Sequence, residues 1–385
     1  MVVRVNVAPE LLTWATERAG WDNNDIARRA PHLHEWVSGS RTPTLNQIQK
    51  FAADTYTPFA ALFLDEPPAE HIPIPDMRTL SNRAVAKPSA NLLDTIYECQ
   101  NRQDWYREYA EEVGLPLVPF IGAATIQSPV AHVAAEMIDL LGFDVARRHK
   151  LRTISEARSA LIDVVEQAGV LVMVSGIVGN NTHRKLNVAE FRGFALADAR
   201  APLIFVNGAD TQAAQIFTIL HELAHLWLGH SALSDAEVET HAGNAEELWC
   251  NRVSAEVLIP QAVLREQYAG VLDDDELERL AGIFKASTLV VLKRLFDVGL
   301  LAWDPYHEAY EAEHRRILEL LASRPAPSSG GDFYKTHPRR VSARFARAVL
   351  ESAFAGATPF RDAYRLLGTK KPSTFENLAD RLLTA

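Results

Sequence analysis

Residues 221 to 225 read His221-Glu222-Leu-Ala-His225. Positions four apart share a helical face, so both imidazoles can reach one metal ion. The carboxylate of Glu222, beside the first, is then placed to take a proton from an acidified water. Hydrolytic zinc usually has three protein ligands and one open position, which asks for a further donor downstream. Glu247 fits. It precedes Asn251 by one helical turn in Glu247-Leu-Trp-Cys-Asn251, so Glu247 can bind the ion while Asn251 hydrogen-bonds the far nitrogen of a ligand histidine. Glu246 is out of phase with Asn251, and His230 falls one position short of the third histidine in His-Glu-x-x-His-x-x-Gly-x-x-His sites. His230 and His241 stay open as competitors for the third place. Cys250 is expected to point away from Glu247 as a packed thiol, and Glu256 to pair with a nearby arginine.

The elements that must position these residues follow from patterning. Asp210 reads as the cap, and Gly229 as the stop, of a long apolar helix over 211–228. Ahead of it stand three strand candidates, Val170 to Val174, Phe191 to Leu196 and Leu203 to Val206. Helical patterns cover Asn91 to Val113, Val130 to Leu141 and Ser155 to Ala168. This order suits an α+β, mostly helical metallopeptidase lobe. If Phe191 to Leu196 is an exposed edge, a substrate segment could add to it by backbone hydrogen bonds; interior pairing is the alternative.

Two Pro-rich stretches divide the 385 residues. They give a helical unit at 1–64, a linker at 65–90, a main domain at 91–323, a second linker at 324–331 and a helical basic tail at 332–385. In the first unit, short helices are expected at Pro9 to Ala19, Asn24 to Ala30, Leu33 to Val37 and Thr44 to Ala53. With Trp36-x-x-Gly39-x-x-x-Pro43-Thr44 they resemble the phage-repressor-like helix-turn-helix class. Residues 1–64 balance six basic against six acidic side chains, which is poor support for autonomous DNA binding. Arg28, Arg29, His32, His34, Ser40 and Arg41 are the only plausible DNA contacts. The tail carries ten basic and five acidic residues, a pattern that ordinarily marks a solvated helix face.

A formal charge of −10 speaks against an intrinsic polyanion binder. No signal peptide or membrane span is visible, and two cysteines are too few for a disulfide framework. A cytoplasmic setting is expected.

Phe191-Arg-Gly-Phe-Ala-Leu-Ala-Asp198, Ile204-Phe-Val-Asn207, the His-Glu-Leu-Ala-His helix and Glu247 through Pro260 together resemble the ImmA/IrrE family of zinc peptidases. More closely, the chain resembles the subgroup with an Xre-like N-terminal helix-turn-helix, and the likeness extends to Gly330-Gly-Asp-Phe-Tyr334. The resemblance implies a zincin-like fold, Zn²⁺ on His221, His225 and Glu247, and Glu222 as general base. It implies a regulatory endopeptidase cutting a repressor or partner protein, with operator DNA as a possible second partner. A second class stays open: an antitoxin or transcriptional regulator of a toxin–antitoxin or mobile-element locus, acting by binding, its zinc site structural or vestigial. Tyr334, His183 and Arg192 are candidates for stabilising the oxyanion of a peptidase reaction.

Overall fold

The computed structural model describes residues 3–77, 88–234, 244–323 and 333–384. His241, all of the second linker and part of the first lie outside these residues. The chain divides into two compact units, one of Met1–Pro73 with Arg83–Tyr97, the other of Ile74–Asn82 with Glu98–Ala385.

In the first unit, α1 (Pro9–Arg18), α2 (Asn23–Arg29), α3 (Leu33–Val37) and α4 (Leu45–Asp54) precede a 3-10 turn at Phe59–Phe63. Asp22 caps α2, and Thr44 and Gln47 form a reciprocal capping box on α4. Leu11, Leu12, Ala15, Ile48 and Phe51 close the core, with Trp21 and Trp36 edge-on to Phe51 at 5.9 and 6.1 Å. The expected DNA contacts are engaged within the unit itself. Arg28 and Arg29 both pair with Asp25, Arg41 bonds His32 and Glu35, and Ser40 donates to the Glu35 carbonyl.

The second unit takes α5 (Ala90–Glu112) from Glu98 onward. It continues with α6 (Val130–Leu141), α7 (Val145–His149) and α8 (Ile154–Gln167). Then come β1 (Leu171–Ser175), β2 (Gly193–Leu196), β3 (Leu203–Asn207), α9 (Gln212–Leu228), β4 (Ala232–Ser234) and α10 (Ala245–Leu258). Four helices follow: α11 (Gln261–Gln267), α12 (Asp274–Phe284), α13 (Thr288–Asp297) and α14 (Trp303–Ser323). The last four are α15 (Phe333–Val341), α16 (Ala343–Phe354), α17 (Phe360–Leu366) and α18 (Pro372–Leu383). The architecture is mostly helical around one small mixed sheet, and no helix among the described residues is long and apolar enough to cross a membrane.

The sheet runs β1-β3-β2-β4, with β1 parallel to β3 and the other two pairs antiparallel. Strand β2 is therefore interior, so of the two arrangements open for Phe191 to Leu196 the structure shows interior pairing and no exposed edge. The edge beside the signature helix is β4, whose three residues are too few to show a period in sequence. Between β2 and β3, the Asp198 carboxylate accepts the amides of Arg200 and Ala201, both at 2.8 Å, and so shapes the turn.

The C-terminal helices are part of this unit. Helix α15 lies against β1, Phe345 of α16 is fully buried against Trp105 and Tyr106, and Arg344 donates to the Tyr106 hydroxyl at 2.7 Å.

Candidate metal centre

Helix α9 begins at Thr211, whose hydroxyl accepts the Ala214 amide, and ends at Gly229 with φ +74°. The expected cap, Asp210, instead holds Arg192 in an ion pair at 2.7 Å. Gly229 also answers a packing need, because a Cβ there would stand 3.0 Å from the Cα of Gly122. Fifteen of the seventeen helical residues are buried, from Ala213 through Leu228 with Ala214 the exception. An apolar helix buried on nearly all sides carries His221, Glu222 and His225 into the interior at 0% exposure.

Helix α10 is capped by Asn244, which accepts the Glu246 amide at 2.9 Å, and it packs beside α9. Glu246 and Glu247 lie in its first turn, where the helix dipole favours carboxylates. The two Glu247 oxygens stand 3.1 Å from His221 Nε2 and 3.1 Å from His225 Nε2, and the two Nε2 atoms are 3.1 Å apart. Two ligands of a tetrahedral zinc at about 2.1 Å are separated by about 3.4 Å, so the three donors stand near the spacing of one coordination sphere. Among the described residues this is the one group of histidine, cysteine and carboxylate donors that could hold a metal ion.

The surroundings support that fit. Glu246 Oε1 lies 3.1 Å from His225 Nδ1, which turns the opposite nitrogen toward Glu247, and its other oxygen is 3.0 Å from His230 Nδ1. Glu246 thus occupies the supporting position that Asn251 was expected to fill. Asn251 lines a neighbouring cavity of about 590 Å³ together with Phe217, Glu256 and Arg294. Glu256 pairs with Arg294, the arginine partnership that was expected of it. His230 bonds Glu246 and does not join the donor group. Cys250 is the packed thiol expected; it sits beside His225, and burial pushes its pKa up to about 11.

Two further residues shape the site without any sequence signal. Ser234 of β4 places its hydroxyl 3.4 Å from Glu222 Oε2, 3.3 Å from His225 Nε2 and 3.4 Å from Glu247 Oε1. Gly193 of β2 passes so close to α9 that a Cβ would meet Thr218 Cγ2 at 2.6 Å and Glu222 Oε1 at 2.9 Å. Burial pushes the Glu222 carboxyl well above the usual range, with the nearby Glu247 charge adding to the effect. Its Oε1 has no hydrogen-bond partner among the described residues. For Glu247, burial is outweighed by the two imidazoles, which hold its carboxyl far below the usual range.

The other sequence candidates lie elsewhere. Arg192 is tied to Asp210 at the start of α9. His183 is exposed in the 177–185 loop, where its amide donates to Asn181. The Tyr334 hydroxyl accepts from Asn377 of α18, and the Arg381 guanidinium lies 4.8 Å over its ring. None of the three has a described contact with the His–His–Glu group.

Residues 165–296, from the end of α8 through α13, match the family model described as IrrE N-terminal-like domain. This stretch contains the sheet, α9, β4 and α10, and it is similar to a metallopeptidase family. Residues 341–381 match a Domain of unknown function (DUF8813). Comparison with curated proteins and with solved structures gives no match.

Proposed function

We propose that the protein is a zinc-dependent endopeptidase that acts on a specific regulatory protein in the cytoplasm. The observation carrying this reading is the convergence of His221, His225 and Glu247 beside the buried, partly unpartnered carboxyl of Glu222. A donor set of two imidazoles and one carboxylate suits zinc. When bound, the ion would supply Lewis-acid polarisation of a peptide carbonyl and a water acidified toward neutrality.

The chain's own residues do the rest. Glu222 would take the water's proton and return it to the leaving amine. Ser234, donating to Glu222 Oε2, orients that carboxyl. Glu246 fixes the ring of His225. Gly193 leaves room for Glu222 beneath β2.

An antitoxin or regulator that acts only by binding has no use for a proton acceptor beside its ion, so Glu222 favours the enzyme. The four short helices of the first unit are what supports a regulatory role, through DNA or through the protein substrate. Co-expression with neighbouring genes decides the matter. One product should be cut by the wild type and left intact by Glu222→Gln, with about one zinc per chain in both. A Glu222→Gln variant that cuts as well as the wild type would refute the mechanism.

A further inference from the structure

The sheet has two edges, and β4 is the one at the metal centre: Ser234 touches Glu222, His225 and Glu247, and Asn244 opens the helix that carries Glu246 and Glu247. Residues of β4 alternate in the direction of their backbone groups. Leu233 turns its amide and carbonyl outward, and both are taken. Its N–H donates to Pro75 O at 2.9 Å, and its carbonyl accepts from Met77 N at 2.9 Å, in a parallel bridge centred on Asp76. The Asn244 side-chain amide lies 2.9 Å from Met77 Sδ, and Ile74 is buried.

We infer that the outer edge of β4 is the docking edge for an extended segment of the protein substrate, and that Pro75–Met77 occupies it in cis. The inference rests on the peptidase reading for the purpose of the edge; the docking itself is a property of the chain. An extended peptide that pairs with Leu233 runs beside the residues proposed to do the chemistry, which is what backbone-directed recognition needs. The occupant is limited on its upstream side. Pro73 and Pro75 have no amide to donate, so pairing cannot spread upstream, while their fixed φ keeps the segment extended without a partner. A substrate strand with donors at those positions forms a longer ladder and displaces it.

The test uses the full chain, a fluorescein-labelled synthetic peptide of residues 70–77, and two variants outside the metal centre. Met77→Pro removes the N–H bound to Leu233. Asn244→Ser removes the amide on the Met77 thioether while keeping an oxygen to cap α10. In Met77→Pro the Leu233 amide should exchange about tenfold faster than in the wild type, the equivalent of one lost hydrogen bond. The labelled peptide should bind Met77→Pro more tightly than the wild type by the same factor, and should restore protection at Leu233. Asn244→Ser should shift both readouts in the same direction by less. Equal peptide affinity in wild type and Met77→Pro, or binding that leaves Leu233 unprotected, overturns the proposal. Neither readout requires catalysis, so both are repeated in Glu222→Gln. A protein that passes them yet cuts nothing would refute the peptidase reading and leave the docking edge standing.

Discussion

Glu246 reaches His225 Nδ1 at 3.1 Å and thereby decides which nitrogen of that ring faces Glu247. Carboxylates in this position fix the tautomer of a metal-bound histidine and raise its basicity. Glu246→Ala should therefore weaken zinc binding by about 10- to 100-fold with all three proposed ligands in place. Competition against a chelator of known affinity measures this. Unchanged zinc affinity would reduce Glu246 to a surface partner of His230.

Gly193→Ala adds one carbon where there is no room. The new methyl would meet Thr218 Cγ2 at 2.6 Å and the Phe205 carbonyl at 2.9 Å, neither of them a flexible chain end. Overpacking of this kind costs about 1–3 kcal/mol, and here it also displaces Glu222. Urea unfolding should show the stability loss, and cleavage should fall by more than zinc content does.

Phe345→Ala asks whether the C-terminal helices are part of the second unit's core or an appendage to it. Phe345 is fully buried, 5.5 Å from Trp105 and 6.5 Å from Tyr106 between ring centres. Its loss should cost about 3–5 kcal/mol, seen as a lower urea midpoint of the transition that reports on α5. A midpoint shift confined to the C-terminal helices would mean that they fold separately.

His337 gives the fold an acid-sensitive point away from the metal centre. Burial, reinforced by Arg102 and Arg340, pulls its pKa down from 6.5 to about 4. The unfolded chain then binds a proton that the folded chain refuses between these values. Stability is complete above about pH 6.5 and is lost progressively as the pH falls toward 4, by about 3 kcal/mol in all. The comparison is with His337→Phe, which keeps a ring against Phe333. The wild type should lose more stability than this variant over that window, and parallel pH curves would show that His337 does not contribute.

The chemistry was more legible in the sequence than the geometry that supports it. His221, Glu222 and His225 could be read together because helical periodicity is a local rule, and Glu247 followed from a one-turn spacing to Asn251. Helix and strand positions around them came close for the same reason: α6 was expected over the residues it occupies, and β1 and β3 within one residue at each end. The supporting residues depend on pairings that leave no local trace. Ser234 enters the site because a three-residue strand adds to β2, and Glu246 because α10 sets a neighbour of Glu247 against the far side of His225. Pro75–Met77 read as linker because prolines do forbid a helix; nothing nearby in the chain announces that Leu233 will accept it.

The complete burial of His221 and His225 has a kinetic consequence. An ion held by these buried imidazoles would exchange when α9 opens against α10, the motion that would also admit water and substrate. Whatever stiffens that helix pair lengthens the residence time of the metal. Metal added to the folded chain should then load at the rate of that opening, and metal present during folding should load faster.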